Sequence, residues 1–352
     1  MMDSQKAERV KSRQEAFGMW PYLALAMATV ATFLLCVCVG NIDIPLADTL
    51  QAIWHGLTGQ PAPEGLAGSI IMPVRLPRVL CGALVGASLA LCGAAFQGLL
   101  RNPLADSSTL GVSAGAGMGA VVSIAFGITL PFVPFAGPMI MAVLFAFLSL
   151  MVIMTLSYKF DYSLSTNTII LVGVIFSMFA SSIISFIITF APDKLHSITF
   201  WTMGSLAQSS YRNILVLFLA LLVFGAVLLH YARELNAFAV GEDNARHIGV
   251  NVRRTKQVVM VMASCLVGVC VSVSGCIGFV GLVVPHMARL IVGPNHRRLL
   301  PAAMIGGAIF LMLADLAGRT LLRPLELPIG VVTSFIGSLV FVYIFYTTRK
   351  AR

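Results

Sequence analysis

The segment 232–256, ARELNAFAVGEDNARHIGVNVRRTK, decides how the chain must fold, because long apolar runs flank it on both sides. The run 213–231 precedes it and another begins at Gln257, and each is long enough to cross a bilayer. This polar segment must therefore emerge on one face of a membrane. Lys and Arg accumulate near span ends in the cytoplasm, and the segment contains five such cations: Arg233, Arg246, Arg253, Arg254 and Lys256.

Apolar residues recur at roughly helical spacing within the polar segment, and Gly241 and Gly249 are natural breaks. The pattern predicts a pair of short helices. We expect the residues that they present outward to be Glu242, Asp243, Asn244, Arg246 and His247. An ordinary cytoplasmic loop is the alternative that the segment alone leaves open.

The composition is that of a polytopic membrane protein. Hydrophobic residues make up 58% of the chain, charged residues only 11%, and the mean hydropathy is +0.93. A soluble domain carries about 25% charged residues. The net charge of +9 does not indicate nucleic-acid binding, because the basic residues lie in loops between apolar runs without interleaved aromatic residues. The run 20–40 has membrane length and no small-x-small cleavage site, so we interpret it as a retained first span.

Nine charge-free runs are candidate spans, and the seventh is too long for a single crossing. It has 32 residues and contains the glycine-rich sequence SGCIG at 274–278, which predicts a tight turn. The nine runs are 20–40, 79–100, 110–130, 136–157, 168–191, 213–231, 257–288, 299–314 and 327–348.

The distribution of cations favours dividing the seventh run. With the N-terminus inside, nine spans place 13 of the 23 Lys and Arg in the cytoplasm, whereas ten spans place 17 there. The sequence therefore predicts an all-α bundle of ten spans with both termini cytoplasmic and a short eighth span near 279–292. We expect a cytoplasmic lead at 1–19, one transmembrane domain at 20–348 and a tail at 349–352. The six cations left outside are Arg75, Arg78, Lys194, Arg212, Arg319 and Arg323.

No motif indicates chemistry in this chain. The seven cysteines lie in apolar runs, are odd in number and form no CxxC pair, so we expect buried free thiols and no metal site. There is no phosphate-binding GxxxxGK[ST] loop, no HExxH motif and no nucleophile–base arrangement. Asp315 is the one acid at a span margin, and Arg319 is placed one helical turn later to pair with it. An ion-coupled carrier, the alternative from another class, is therefore disfavoured, and we expect the energy to come from another subunit.

Several long motifs occur in order along the chain. They are RLPRVLCGALVGASLALCGAAFQGLLRNPLADSSTLGVSAGAG (75–117), GEDNARHIGV (241–250), GFVGLVVPHMARLIVGPNHRRLLP (278–301) and ADLAGRTLLRPLELPIGVVTSFIG (314–337). Together they resemble the iron-siderophore, haem and vitamin B12 permeases of ABC importers, the FecCD-type group with type II importer architecture. The resemblance implies ten spans, a second permease subunit, two cytoplasmic ATPase subunits that bind ATP and Mg, and a substrate-binding protein on the outer face. It implies that this chain is not an enzyme and has no catalytic residue and no cofactor of its own.

The resemblance also implies roles for particular residues. Coupling to the ATPase falls on Gly241, Glu242, Ala245, Arg246 and Gly249, with loop solubility as the alternative. The cytoplasmic gate falls on Ser165, Thr166 and Asn167, with an ordinary helix cap as the alternative. Docking of the binding protein falls on Arg75, Arg78 and Arg319, with lipid anchoring or a local pair with Asp315 as the alternatives. For His286 we favour a hydrogen-bonded structural role over a ligand role.

The substrate is only broadly indicated. Small residues on the fifth span (Gly173, Ser177, Ser181 and Ser185) suit the passage of a large preformed complex. Family frequency favours an iron chelate of siderophore or haem type over a corrinoid, and a homodimer over a heterodimer. We expect the protein in the cell (inner) membrane, with the lipid bilayer as a partner and no nucleic acid.

Overall fold

The computed structural model describes residues 20–61, 63, 65–128 and 136–350. The predicted lead at 1–19 and the last two residues of the predicted tail lie outside these residues. The described chain is helical and contains no β-strand, in agreement with the predicted all-α class.

The helices of the first half are α1 Trp20–Cys38, α2 Leu46–Thr58, α3 Leu66–Ile70, α4 Leu76–Leu100, α5 Val112–Ala125, α6 Ala136–Phe160 and α7 Thr166–Phe190. Those of the second half are α8 Leu195–Thr202, α9 Tyr211–Ala220, α10 Ala226–His230, α11 Ala232–Val240, α12 Glu242–His247, α13 Val252–Ser274, α14 Val280–Val292, α15 His296–Thr320 and α16 Ile329–Lys350. The sequence did not predict α2 and α8, which lie in loops that join spans.

Two wide helical turns make continuous spans out of shorter helices. The π-helical segment Ile71–Arg75 joins α3 to α4, and Leu221–Gly225 joins α9 to α10. Pro73 lies within the first of these segments and Pro77 at the start of α4, and proline lacks the N–H that an ordinary helical turn requires. The helix continues through both segments.

Six helices of the described chain are long and apolar enough to cross a membrane, so the protein is multi-pass. They are Ala67–Leu100, Gly137–Phe160, Thr166–Phe190, Tyr211–His230, Val252–Ser274 and His296–Thr320. Four apolar helices are shorter: Leu23–Cys38, Val112–Ala125, Val280–Val292 and Ile329–Tyr343.

The long seventh run is broken where its glycine-rich sequence predicts. Helix α13 ends at Ser274 and α14 begins at Val280. Gly275 has a φ of 67°, and a Cβ there would overlap the carbonyl oxygen of Trp201. The Ser205 N–H donates to the Ser274 carbonyl at 2.8 Å, so the break is packed against the loop that follows α8.

Helix α4 lies at the centre of the bundle. In the span Ala67–Leu100, to which it belongs, 83% of the most apolar 18-residue stretch is buried. It packs against α13, α14 and α15. A Cβ on Gly86 would overlap the carbonyl of Gly307 in α15, and a Cβ on Gly93 would overlap the carbonyl of Gly281 in α14. Such close backbone approach is how helices associate in lipid, where burial of apolar surface gives little driving force.

Glycines of α5 also form a packing face. A Cβ on Gly115 would overlap Ser149, and one on Gly119 would overlap the Met141 carbonyl, both in α6. These glycines therefore let α5 and α6 approach closely.

Candidate functional site

The polar segment contains the two short helices that its sequence predicts. Helix α11 ends at Val240. The next residue, Gly241, has a φ of 128° that only glycine adopts readily, and α12 follows immediately. Gly249, with a φ of 90°, turns the chain toward α13, and nothing lies within 4 Å of the position of a Cβ there. The two glycines therefore set the bounds of α12.

Helix α12 presents most of its polar residues to solvent. Ala245 is fully buried, whereas Asp243, Asn244, Arg246 and His247 are exposed. Arg246 and Asp243 form a loose exposed ion pair at 3.7 Å. Two apolar side chains, Val240 and Ile248, flank the helix and are each 71% exposed. The outer face of α12 is thus a polar strip with an apolar residue at either end.

Glu242 departs from the prediction that it faces outward freely. Its carboxylate pairs with the Lys256 ammonium at 2.8 Å. The Lys256 side chain is 1% exposed, and its Nζ also donates to the Leu164 carbonyl at 2.8 Å. The cost of burying an ammonium group explains this geometry, because such a group is tolerated only with full hydrogen bonding and a counter-charge.

The predicted gate residues lie beside this ion pair. Ser165 caps α7, and its Oγ accepts from the Thr168 N–H at 3.4 Å, as the helix-cap alternative expects. Thr166 is half-buried and Asn167 is exposed. The left-handed Leu164, with a φ of 53°, directs its carbonyl to Lys256. Capping and gating are compatible, so the gate assignment stays a prediction.

Asp161 holds the loop before α7 in shape. It accepts from the Ser163 hydroxyl at 2.6 Å and from the backbone N–H groups of Ser163 at 2.9 Å and Ser165 at 3.2 Å. These hydrogen bonds, first that of the Ser163 side chain, hold the pKa of Asp161 well below its ordinary value.

Helix α13 contacts the α6–α7 connection a second time. The Arg253 guanidinium lies 5.1 Å from the ring centroid of Tyr158, at the end of α6. Arg253 and Lys256 are three residues apart and so share one face of α13. The structure thereby joins the polar segment and the loop 161–167, which contains the predicted gate residues, into one candidate site.

Lys256 is the member of this site whose role the sequence did not indicate. The sequence shows it only as one of the five cations of the polar segment, and no local pattern distinguishes it from the exposed Arg254. The one available signal is its position directly before an apolar run, where a lysine stem lies against other helices. Its carbonyl partner is 92 residues away in sequence, so the contact follows from tertiary packing.

The polar segment is also attached to α15. Asn236 in α11 accepts from the His296 N–H at 2.8 Å and donates to the Asn295 side chain at 2.9 Å. Helix α12 therefore lies at the end of the bundle where α4 ends and α15 begins.

The predicted docking arginines lie at the opposite end of α4, a length of about 37 Å away. Asp315 holds two of them: Arg78 at 3.0 Å and Arg319, one helical turn away, at 3.0 Å. Arg78 also pairs with Glu326 at 2.9 Å. The predicted Asp315–Arg319 pair is confirmed.

All three arginines of this arginine cluster (Arg75, Arg78 and Arg319) are buried, with exposures of 5%, 9% and 4%. Arg75 donates to the carbonyls of Val37 at 2.9 Å and Cys38 at 2.7 Å. In this conformation their guanidinium groups tie helix ends together and are not presented to a partner. Lipid anchoring, the alternative for an exposed arginine, does not fit this burial.

Exposed charges do occur at this end of the bundle. Arg323 pairs with Asp43 at 3.2 Å, with side chains 37% and 64% exposed. The hydrogen bond from Arg323 is the main cause that lowers the pKa of Asp43. These two groups, more than the arginine cluster, are accessible to solvent.

His286 is not hydrogen-bonded as expected. Both ring nitrogens are buried, and neither finds a partner among the residues that the structure describes. The seven cysteines are free thiols, four buried and three partly buried. Within the described ranges, no group of three or more His, Cys, Asp or Glu side chains is placed to hold a metal ion.

Residues 28–347 match the family model described as the FecCD transport family. The chain belongs to the FecCD transport family. An uncharacterized ABC transporter permease, YvrB of Bacillus subtilis, is 42% identical over 89% of this chain and 89% of its own. The cobalamin import permease BtuC of Halobacterium salinarum is 40% identical over 78% of this chain and 73% of its own.

A solved structure has the same fold as this FecCD permease. It is an inward-facing putative metal-chelate type ABC transporter, with a TM-score of 0.81, 32% identity, and coverage of 92% of this chain and 98% of its own. Relatives of Haemophilus influenzae, Yersinia pestis and Escherichia coli are 34%, 34% and 33% identical, and are named for molybdate, hemin and ferric dicitrate. The protein is therefore an ABC importer permease, and its relatives do not share one substrate.

Proposed function

We propose that this permease moves a metal chelate into the cytoplasm, with the energy supplied by ATP hydrolysis in separate subunits. The observation that carries the proposal is α12, a short helix with an exposed polar face attached by a buried ion pair to the loop before α7. A surface of that kind suits a partner that pushes or pulls on the bundle, and the family supplies ATPase partners of this class.

Coupling would use the exposed face of α12. The polar strip of Asp243, Arg246 and His247, with Val240 and Ile248 at its ends, has the mixed character of a contact surface. Of the residues assigned to coupling, Gly241 and Gly249 set the bounds of α12, Ala245 anchors it, and Glu242 connects it to Lys256.

A ten-span topology with both termini in the cytoplasm is part of the proposal. The six long apolar helices and the four shorter ones together supply ten candidates. The same topology places 17 of 23 cations, including the polar segment, on the cytoplasmic side. The arginine cluster then lies at the outer end.

We further propose that two copies of the permease pair through α7, with Ser165, Thr166 and Asn167 at the inner mouth. Only 22% of the most apolar 18-residue stretch of α7 is buried, and large side chains such as Ile175, Met178 and Phe186 are exposed. A second copy would cover such a face. Thr166→Cys in both copies should form a disulfide across the dimer axis and block transport, whereas no cross-link under any nucleotide condition favours a cap-only role.

A substrate-binding protein would dock at the outer end. The location of the arginine cluster at this end supports docking there. Each of its arginines would first have to release its present carboxylate or carbonyl partner. Pull-down of the cognate binding protein with Arg78→Gln and with Arg323→Gln, at low and high salt, separates a buried from an exposed candidate. Asp315 keeps Arg319 as its partner in the Arg78→Gln variant. Capture equal to wild type would remove the substituted arginine from docking.

The cargo that we propose is an iron chelate of siderophore or haem type, in line with the hemin and ferric dicitrate relatives. Cobalamin is the second candidate, because the relative named for cobalamin is 40% identical. The uncharged α7 face, with Ser177, Ser182 and Ser185 bonded to backbone carbonyls of their own helix, offers no competing charge to either cargo.

Reconstitution tests the proposed function. The permease should copurify with a coexpressed ATPase and, in liposomes with its binding protein, accumulate radiolabelled hemin, ferric siderophore or cyanocobalamin only with ATP. An ATPase variant unable to hydrolyse ATP is the matched control. Uptake by the permease alone, driven by a proton or sodium gradient, would identify an ion-coupled carrier and overturn the proposal.

A further inference from the structure

One buried cation outside the assigned residues connects three separate pieces of the chain. The Lys256 side chain is 1% exposed and its Nζ contacts the Glu242 carboxylate at the start of α12 and the Leu164 carbonyl just before α7, each at 2.8 Å. Lys256 itself lies in the first turns of α13. The three elements meet at one ammonium group.

We propose that Lys256 is a positioning residue that transmits movement of α12 to the loop before α7. The inference rests on the proposed coupling role of α12. It adds the connection by which a displacement at the cytoplasmic surface reaches Ser165, Thr166 and Asn167 at the predicted inner mouth.

The strength of the two contacts supports this role. Both are charge-assisted hydrogen bonds, and in a site shielded from water such bonds are stronger than in solvent. If α12 moved away alone, it would leave the buried ammonium without its counter-charge, which is costly. The energetically preferred response is for Glu242, Lys256 and the Leu164 carbonyl to move together.

The receiving loop can transmit such a movement because it is held as a unit. The Leu164 N–H donates to the Asp161 carbonyl at 2.9 Å, and the Asp161 carboxylate binds Ser163 and Ser165. Ser165 in turn caps α7. A pull on the Leu164 carbonyl therefore reaches the first turn of α7 through short contacts, and Arg253 over Tyr158 supports the same connection from α6.

Hydrogen–deuterium exchange of the permease–ATPase complex in nanodiscs tests the relay without knowledge of the substrate. The probe is Mg-ATP with vanadate compared with no nucleotide. In the wild type, nucleotide should change exchange in residues 241–250 and in residues 161–168. In Lys256→Met, the change at 241–250 should persist, whereas that at 161–168 should fall about fivefold or more, the lower end of usual coupling between sites.

Arg254→Met is the matched control, because it removes one cation from the neighbouring exposed position. It should retain both nucleotide responses. Lys256→Arg should retain part of the response at 161–168, since a guanidinium also donates to a carboxylate and a carbonyl. A residue that only stabilised the fold would change overall exchange and leave the nucleotide response of the loop in place.

A double variant covers the case in which Lys256→Met fails to assemble. Lys256→Met with Glu242→Gln leaves no unpaired charge, and the same loss of response at 161–168 is expected. A full nucleotide response at 161–168 in either variant overturns the relay, as does a wild-type complex that responds only at 241–250. Absence of any nucleotide response at 241–250 in the wild type would instead contradict the proposed coupling role of α12.

Discussion

The two ends of the permease both contain buried ion pairs, but the pairs join different kinds of structure. In the arginine cluster, Asp315, Arg78 and Arg319 project from α4 and α15, the two long helices that pack most extensively against each other. At the polar segment, Lys256 joins the start of α13 to a six-residue helix and to a loop.

The two sets of ion pairs therefore have different roles: the arginine cluster holds packed helices together, whereas the Lys256 pair connects a short helix to a loop. The arginine cluster links elements whose backbones already touch at Gly86 and Gly307, so its ion pairs fix positions that packing also fixes. The Lys256 pair links α13 to α12, with which α13 shares few other contacts, and to the loop before α7, so it influences how α12 moves relative to that loop. Loss of the first should cost stability, and loss of the second should cost communication.

The largest effect is expected from Asp315→Asn. The change removes one buried carboxylate from two buried arginines, and breaking a buried pair costs about 3–5 kcal/mol because an uncompensated charge stays behind. The apparent melting temperature of the solubilised permease, followed by fluorescence-detected size exclusion, should fall markedly.

Asp193→Asn is the control for this prediction. Asp193 pairs with Lys194 at 3.5 Å, and both side chains are largely exposed, so its loss should leave the melting temperature close to wild type. Equal stability of the Asp315→Asn variant would mean that the arginine cluster does not fasten the helices, and would leave its arginines available for docking.

The sequence predicted the positions of both regions but not their burial. The apolar runs, the glycine break at 274–278 and the Asp315–Arg319 spacing depend on local pattern, and the break between α13 and α14 and the ion pair agree with them. Whether a cation at a span end faces water depends on which helices surround it. Arg75 binds carbonyls at the end of α1, 37 and 38 residues away, which no local pattern reveals.

The same limit explains the result for Glu242. Helical spacing around Ala245 placed Glu242 on the polar side of α12, and it does lie there at the edge. Its partner Lys256 lies 14 residues on, beyond Gly249 and the turn into α13, so the pairing depends on how that turn folds back. Short helices in connecting loops, such as α2, were missed because they are neither long nor purely apolar.

A smaller effect on stability is expected from Glu242→Arg, in the polar segment. It places a second cation beside the buried Lys256 and reverses the charge at the start of α12. Copurification with the ATPase should fall, since like charges placed side by side cost on the order of a few kcal/mol and the repulsion from Lys256 displaces the start of α12. The melting temperature should fall less than in Asp315→Asn, because Glu242 is partly solvated.

Asp243→Arg is the companion variant at the adjacent, exposed position, whose carboxylate forms a loose ion pair with Arg246. It alters the proposed contact face of α12 without disturbing Lys256, so copurification with the ATPase should fall while the melting temperature stays close to that of the wild type. Full complex yield and normal transport by the Glu242→Arg variant would remove Glu242 from coupling. The ion pairs at both ends of the molecule would then have only a stabilising role.

The smallest effect is expected from Asp161→Asn, which sharpens the comparison within the loop before α7. Asp161 accepts three hydrogen bonds from Ser163 and Ser165, and those bonds lower the pKa of its carboxyl group. A carboxylate with a depressed pKa stabilises the folded loop at every pH above its unfolded value, near 3.8, and that stabilisation is lost as the pH falls through the lower folded value. Protection of residues 161–168 against hydrogen exchange, corrected for intrinsic rates, should therefore be constant from about pH 5 to 8 and decline only in stronger acid.

The Asn variant keeps one acceptor oxygen but no charge, so its protection should be lower than that of the wild type and independent of pH across the whole range. Asp243→Asn, an exposed acid without backbone donors, should match the wild type. A protection difference that varies between pH 5 and 8 would assign the loop's stability to another group. It would also mean that the link from Lys256 to α7 does not pass through a loop held by Asp161.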